Sequence, residues 1–238
     1  MNHQPNAKIF LAGKRGCSES DWFRSYHTFN FGEYFDEHKY PFGNLYALND
    51  KTVAGSHSVI LDVTENSHIL LLPVVGTLLS KINGSALSIV NAGQLQIFKI
   101  YKGAAIELLN CYENELINFI EVLIKAEAEG TDDINQLFNF QLDENRNQLI
   151  TITGSTVSKI PFYPVVSIGK FAGRREAVYE LRKKDNSLFV FVIEGVFEVQ
   201  GRLLHAKDGL GLCGESEKIE LEALSNDAIV LIIEMRNA

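Results

Sequence analysis

Six histidines and three cysteines are the residues of this 238-residue chain best suited to acid–base, nucleophilic or metal chemistry. His27 stands in the run SYHTFNFG (25–32), crowded by aromatics. It reads as a buried histidine held by a hydrogen-bond partner, because buried polar groups are almost always satisfied; a catalytic role is the alternative. His205, alone among apolar neighbours, reads as structural, His57 falls in a turn, and His3 and His38 read as exposed. Cys17, Cys111 and Cys213 are far apart and odd in number, with no C-x-x-C, so neither a disulfide framework nor a zinc ribbon is indicated. Reduced structural thiols in a cytoplasmic protein are the expectation. No G-x-S-x-G occurs and Cys111 has no neighbour that would lower its pKa, so no local nucleophile–base pair is evident. Glu113 and Glu115 fall in a turn and read as solvated, and no glycine-rich phosphate loop or dinucleotide fingerprint is present. The basic clusters Arg174–Arg175 and Arg182–Lys184 are small, and the net charge is −8. That balance argues against nucleic acid and anionic membranes, both of which select basic patches.

Residues 15–50 are the segment that must position such groups. They carry Trp22, Phe23, Tyr26, Phe29, Phe31, Tyr34, Phe35, Tyr40 and Phe42, spaced with no helical period. Each large side chain fully buried contributes about 1.5–3 kcal/mol, so the segment is expected to wrap along an apolar surface. Downstream residues supply one as short strands. SVILDVT (58–64) alternates, with Val59, Leu61 and Val63 on one face and Ile60, Asp62 and Thr64 on the other. Ile69–Val75 is apolar on both faces, Asn83-Gly84 is a hairpin signal, and Leu116–Lys125 is a further strand. The polar stretch 126–133 reads as a connector, and 134–140 is ambiguous, with one capped helical turn as an option. From Leu149 a second strand series runs to Met235, punctuated by turns every 8–12 residues, the spacing of a sandwich or barrel. No apolar run approaches the roughly 20 residues of a membrane span. At the N-terminus the charges follow the apolar patch, the wrong order for a secretion signal.

The two halves resemble each other. Residues 69–98 and 188–213 both read apolar strand, glycine, strand, glycine, strand, which aligns Gly76 with Gly195 and Gly84 with Gly201. The expectation is an all-β bicupin: two tandem cupin (double-stranded β-helix, jelly-roll) barrels, about 1–140 and 141–238, with the aromatic segment over and between them.

Several motifs together resemble the pirin family, in particular its shorter bacterial members. They are RG (15–16), WF (22–23), SYHTFNFG (25–32), FG (42–43), L-x-x-L-N-D (45–50), Gly76, GQLQ (93–96), NFIEVLI (118–124) and FVIEGVFEVQGRLLHAKDG (191–209). The resemblance implies a metal site in the N-terminal barrel, built from an H-x-H and a later H-x-E. It also implies a link to flavonol dioxygenase activity or to transcriptional regulation through a partner protein.

Counted from Gly76, the H-x-H falls on Asp62 and Thr64; counted from Gly93, the H-x-E falls on Ile106 and Leu108. Two of the four cannot donate to a metal at all. A displaced set of Asp62, His68 and Glu107 would need strand 104–112 to slip by one residue, which would invert every side chain on it. The favoured expectation is a protein with no metal and no cofactor. It would bind a small apolar molecule in the pocket of Asp62, Thr64, Ile106 and Leu108, or dock on a protein partner. A quercetin 2,3-dioxygenase-like metalloenzyme with displaced ligands is the alternative. No nucleic acid, no membrane and a cytoplasmic location complete the expectations.

Overall fold

The computed structural model describes residues 6–126, 135–153, 164–214 and 217–236. These contain twenty-one strands and one short 3-10 turn, Ala12–Lys14. In chain order the strands begin with β1 (Asn6–Phe10), β2 (Gly16–Glu19), β3 (Phe23–His27), β4 (Leu45–Val53), β5 (Ser58–Asp62), β6 (Ser67–Val75) and β7 (Thr77–Ile82). Next come β8 (Ser88–Asn91), β9 (Gln94–Ile100), β10 (Ala105–Asn110), β11 (Ile117–Lys125), β12 (Asn135–Asn139), β13 (Leu149–Thr151) and β14 (Val165–Phe171). The last seven are β15 (Glu176–Glu180), β16 (Ser187–Glu194), β17 (Val196–Val199), β18 (Arg202–His205), β19 (Gly209–Cys213), β20 (Lys218–Ala223) and β21 (Ala228–Met235). No helix among the described residues is long and apolar enough to cross a membrane.

The strands form two compact units. In Arg15–Asn139, a seven-stranded sheet of order β12-β9-β6-β11-β4-β3-β2 faces a four-stranded sheet of order β5-β10-β7-β8. Inward side chains of both sheets meet in one core, with Leu61, Leu78, Ile106 and Leu108 against Ala47, Ile69, Leu71, Phe98, Phe119 and Leu123. The other unit repeats the plan, with sheets β1-β19-β16-β21-β14-β13 and β15-β20-β17-β18 around a core that includes Leu188, Val190, Phe197, Leu221 and Ile232. Adding ten to each strand number from β4 to β11 reproduces the order of β14 to β21 in both sheets. The fold is a bicupin.

The aligned glycines sit where the repeat requires them. Gly76 (φ +83°) and Gly195 (φ +79°) separate β6 from β7 and β16 from β17, and Gly84 (φ +71°) and Gly201 (φ +69°) turn the next hairpins. Positive φ at these places is open to glycine at little steric cost.

Two boundaries differ from the sequence reading. β1 pairs antiparallel with β19, Asn6 opposite Cys213, so it belongs with the C-terminal barrel rather than with a domain running 1–140. It covers the edge that β12 covers on the equivalent strand β9. β12 itself is a strand, not a helical turn. Its backbone is paired along β9, and Gln94 Nε2 and Gln96 Nε2 donate to Asn139 Oδ1 and Asn135 Oδ1 at 2.7 and 2.9 Å. An open sheet edge offers this short polar segment more hydrogen bonds than one isolated helical turn could. Most of the expected connector, 127–133, lies outside the described residues.

Candidate functional site

The inward face of the first barrel is set by strand alternation. β10 and β5 pair with Ile106 opposite Leu61, Leu108 opposite Val59, Glu107 opposite Ile60 and Ala105 opposite Asp62. Directly opposed residues share a face. Ile106 and Leu108, both fully buried, therefore bring Leu61 and Val59 to the same side. Leu61 and Val63 are sealed in the core, while Asp62 and Thr64 are exposed. The count from Gly76 had placed Asp62 and Thr64 inside; the period of β5 itself places their neighbours there.

The displaced set is not assembled either. Glu107 lies on the outer face, accepting from Ser58 Oγ at 3.2 Å and 3.6 Å from Lys81 Nζ. His68 is on β6 opposite Lys99. Burial, and then the Lys99 charge, push its pKa down to about 4. Among the described residues no group of three or more His, Cys, Asp or Glu side chains could hold a metal ion. Leu61, Val63, Ile106 and Leu108 carry only aliphatic carbon, which cannot coordinate iron, nickel or zinc. The residues present do not fit the metal site that the resemblance implies.

An open cleft of about 780 Å³ lies beside this packed centre, between the aromatic segment and β5. Trp22, Phe23, Phe31, Tyr46, Val59 and Leu61 give it an apolar lining, and Asp62 and Thr64 also line it; Ile106 and Leu108 are not part of it. The Trp22 ring stacks on His57 with centroids 5.1 Å apart, and His57 Nδ1 donates to Gly55 O at 2.6 Å.

Polar side chains from three strands converge on the cleft's other wall. Ser18 (β2), Ser25 and His27 (β3) and Lys51 (β4) line it. Behind them Lys51 Nζ donates to Glu121 Oε1 (β11) at 2.6 Å, Asn49 Nδ2 donates to Glu121 Oε2 at 2.9 Å, and His27 Nδ1 meets Asn49 Oδ1 at 2.8 Å. His27 Nε2 meets Ser18 Oγ at 2.9 Å. Glu121 is fully buried and His27 nearly so. Burial is the main cause that lowers the His27 pKa, and the bond to Asn49 opposes it. Sequence reading found His27 and missed its partners, which are up to 72 residues apart along the chain. The signal available was alternation within strands: Ser25 and His27 share one face of β3, and Asn49 and Lys51 share one face of β4.

The remaining candidates are placed as follows. Cys17 and Cys111 are exposed and Cys213 is half-buried, its thiol pKa raised by burial. Glu113, Glu115 and His38 are exposed, and His205 is exposed at the end of β18 rather than enclosed by apolar neighbours. His3 lies outside the described residues.

Comparison with known proteins agrees with this architecture. Residues 164–235 match the quercetinase C-terminal cupin domain. Over 222 residues the chain is 21% identical to a quercetin 2,3-dioxygenase of Escherichia coli, covering 92% of this chain and 95% of that one. It is 22% identical to a pirin-like protein of Caulobacter vibrioides over 223 residues, covering 92% and 95%. The crystal structure of the bacterial pirin YhhW from Escherichia coli in complex with nickel(II) superposes with a TM-score of 0.81 at 20% identity, covering 98% of this chain and all of that one. The matched C-terminal domain, the near-full-length relatives and the duplicated barrels make the chain similar to the pirin family.

Proposed function

We propose that this pirin-like chain binds a small, planar, largely apolar molecule in the cleft of Trp22, Phe31 and Val59, and does so without a metal ion. One observation carries the reading. Leu61, Val63, Ile106 and Leu108, which point inward from β5, its extension and β10, are each at most 4% exposed, and Val59 on the same face is part of the cleft lining. A centre closed by aliphatic packing neither coordinates an ion nor admits a substrate, so ligand chemistry moves to the cleft beside it. Apolar walls with a few convergent polar groups are the usual make-up of a small-molecule site. Two relatives named quercetin 2,3-dioxygenase suggest a flavonol as the first probe, a planar aromatic that the aromatic wall suits.

Titration calorimetry with quercetin, followed in parallel by Trp22 emission, tests this. Trp22 is the one tryptophan of the chain. Saturable binding that quenches Trp22 and is abolished by Val59→Arg is expected. Oxygen uptake should stay at the protein-free rate with nickel(II), iron(II) or manganese(II) present. Metal-dependent oxygen consumption would instead restore the dioxygenase reading.

A further inference from the structure

We propose that Ser18, His27 and Asn49 form an acyl-transfer site in this cleft, with Ser18 Oγ as the nucleophile toward small aryl esters. The inference rests on the cleft being the ligand site. Nothing in the linear sequence joins the three residues; the sheet does. β2 pairs with β3 so that Ser18 lies opposite Ser25 and Gly16 opposite His27, which puts Ser18 diagonally across from His27 on one face. β3 pairs with β4 so that His27 lies opposite Asn49.

The hydrogen bonds fix the direction of the chain. Glu121, held by Lys51, only accepts, so the Asn49 NH2 must face it. Asn49 Oδ1 therefore faces His27, and His27 Nδ1 carries the proton that it accepts. That leaves Nε2 with its lone pair toward Ser18 Oγ, 2.9 Å away. Nucleophile, base and orienting group thus stand in the order that nucleophilic catalysis requires. Ser25 Oγ, 3.4 Å from Nδ1, is the more distant neighbour. The other groups around the imidazole are the Phe31 and Tyr34 rings, at 5.3 and 6.4 Å between centroids, and the charges of Arg15, Lys51 and Glu121. Burial keeps the ring neutral near pH 7, which is the state a base needs.

The step balances with water as the only co-reactant. Ser18 Oγ bonds to the ester carbonyl carbon while its proton passes to His27 Nε2. The carbon–aryloxy bond then breaks and the aryloxide takes that proton, leaving acyl-Ser18. Water, deprotonated by His27, releases the acid and restores the hydroxyl. Ser20 N–H bonds to Phe23 O, so ladder alternation turns the Glu19 N–H off the sheet edge, one residue from the nucleophile, as a donor for the oxyanion. Among the described residues β2 is the last strand of its sheet.

A fluorophosphonate probe on the intact protein, read by peptide mass, tests the site, with hydrolysis of p-nitrophenyl acetate as the second readout. Ser18 should be the labelled residue, and S18A should remain unlabelled. H27Q should slow labelling about 100-fold, the usual weight of a general base. As Asn49 is a positioning residue that must both donate to Glu121 and accept from His27, N49Q should retain part of the reaction and N49L should lose it. The labelling rate should rise with pH through an inflection at or below that of an ordinary histidine. Label elsewhere, or a rate indifferent to His27, would overturn the proposal and leave quercetin binding standing. Loss of quercetin binding by the wild type would remove the cleft reading itself.

Discussion

The Lys51–Glu121 pair is the interaction most sensitive to a single change. Both side chains are almost wholly withdrawn from water, with 2.6 Å between Nζ and Oε1. Removing one partner of a buried pair strands the other charge, which costs about 3–5 kcal/mol. Lys51→Met should lower the urea unfolding free energy by that amount at pH 7, and adding Glu121→Gln should recover part of it. A loss below about 1 kcal/mol would mean that water reaches the pair. His68 makes a second, pH-dependent case. Its folded pKa of about 4 lies below the ordinary 6.5. Between those values the unfolded chain takes up a proton that the folded chain refuses. Stability present above pH 6.5 is therefore lost as the pH falls toward 4, by roughly 3 kcal/mol over the interval. His27 is shifted in the same direction. Unfolding midpoints between pH 7 and 4 should decline, and His68→Phe should flatten the decline without abolishing it.

At the scale of elements, the turns separate glycines that need only φ from those that also need space. A Cβ at Gly195 would stand 2.5 Å from Ser225 Oγ and 2.7 Å from Ala228 Cβ, whereas at Gly84 it would meet nothing within 4 Å. Gly84→Ala should cost about 1 kcal/mol, the left-handed penalty alone, and Gly195→Ala clearly more, by thermal or urea unfolding. Equal costs would mean that the β16–β17 turn yields freely. These turns were legible in the sequence because positive φ selects glycine whatever surrounds it. The face of β5 stood in the alternation of Val59, Leu61 and Val63, but the sequence reading followed the count from a distant glycine and turned Asp62 and Thr64 inward, where the structure has them exposed. β12 was not legible, since its five residues take their structure from the edge of β9 rather than from a pattern of their own. Nor was the chain from Ser18 to Lys51. Its members come from β2, β3, β4 and β11, and only sheet pairing joins them.

For the whole molecule, duplication explains the fold and divergence explains the site. Each barrel buries one glutamate on the equivalent strand, Glu121 on β11 and Glu234 on β21. Glu234 takes hydrogen bonds from Tyr179 Oη at 2.7 Å and from Asn186 Nδ2, while Glu121 faces the lysine and asparagine that lead to the cleft. The same scaffold thus closes its polar group into the wall in one copy and connects it to an open surface in the other. In the first barrel the inward side chains of β5 and β10 are aliphatic, and the proposed function rests on that architecture being kept without a metal ion. Elemental analysis of untagged protein tests this most directly, after incubation with nickel(II), iron(II), manganese(II) or zinc(II) and desalting without chelator. The expected result is far less than one ion per chain; one tightly held ion per chain would contradict it.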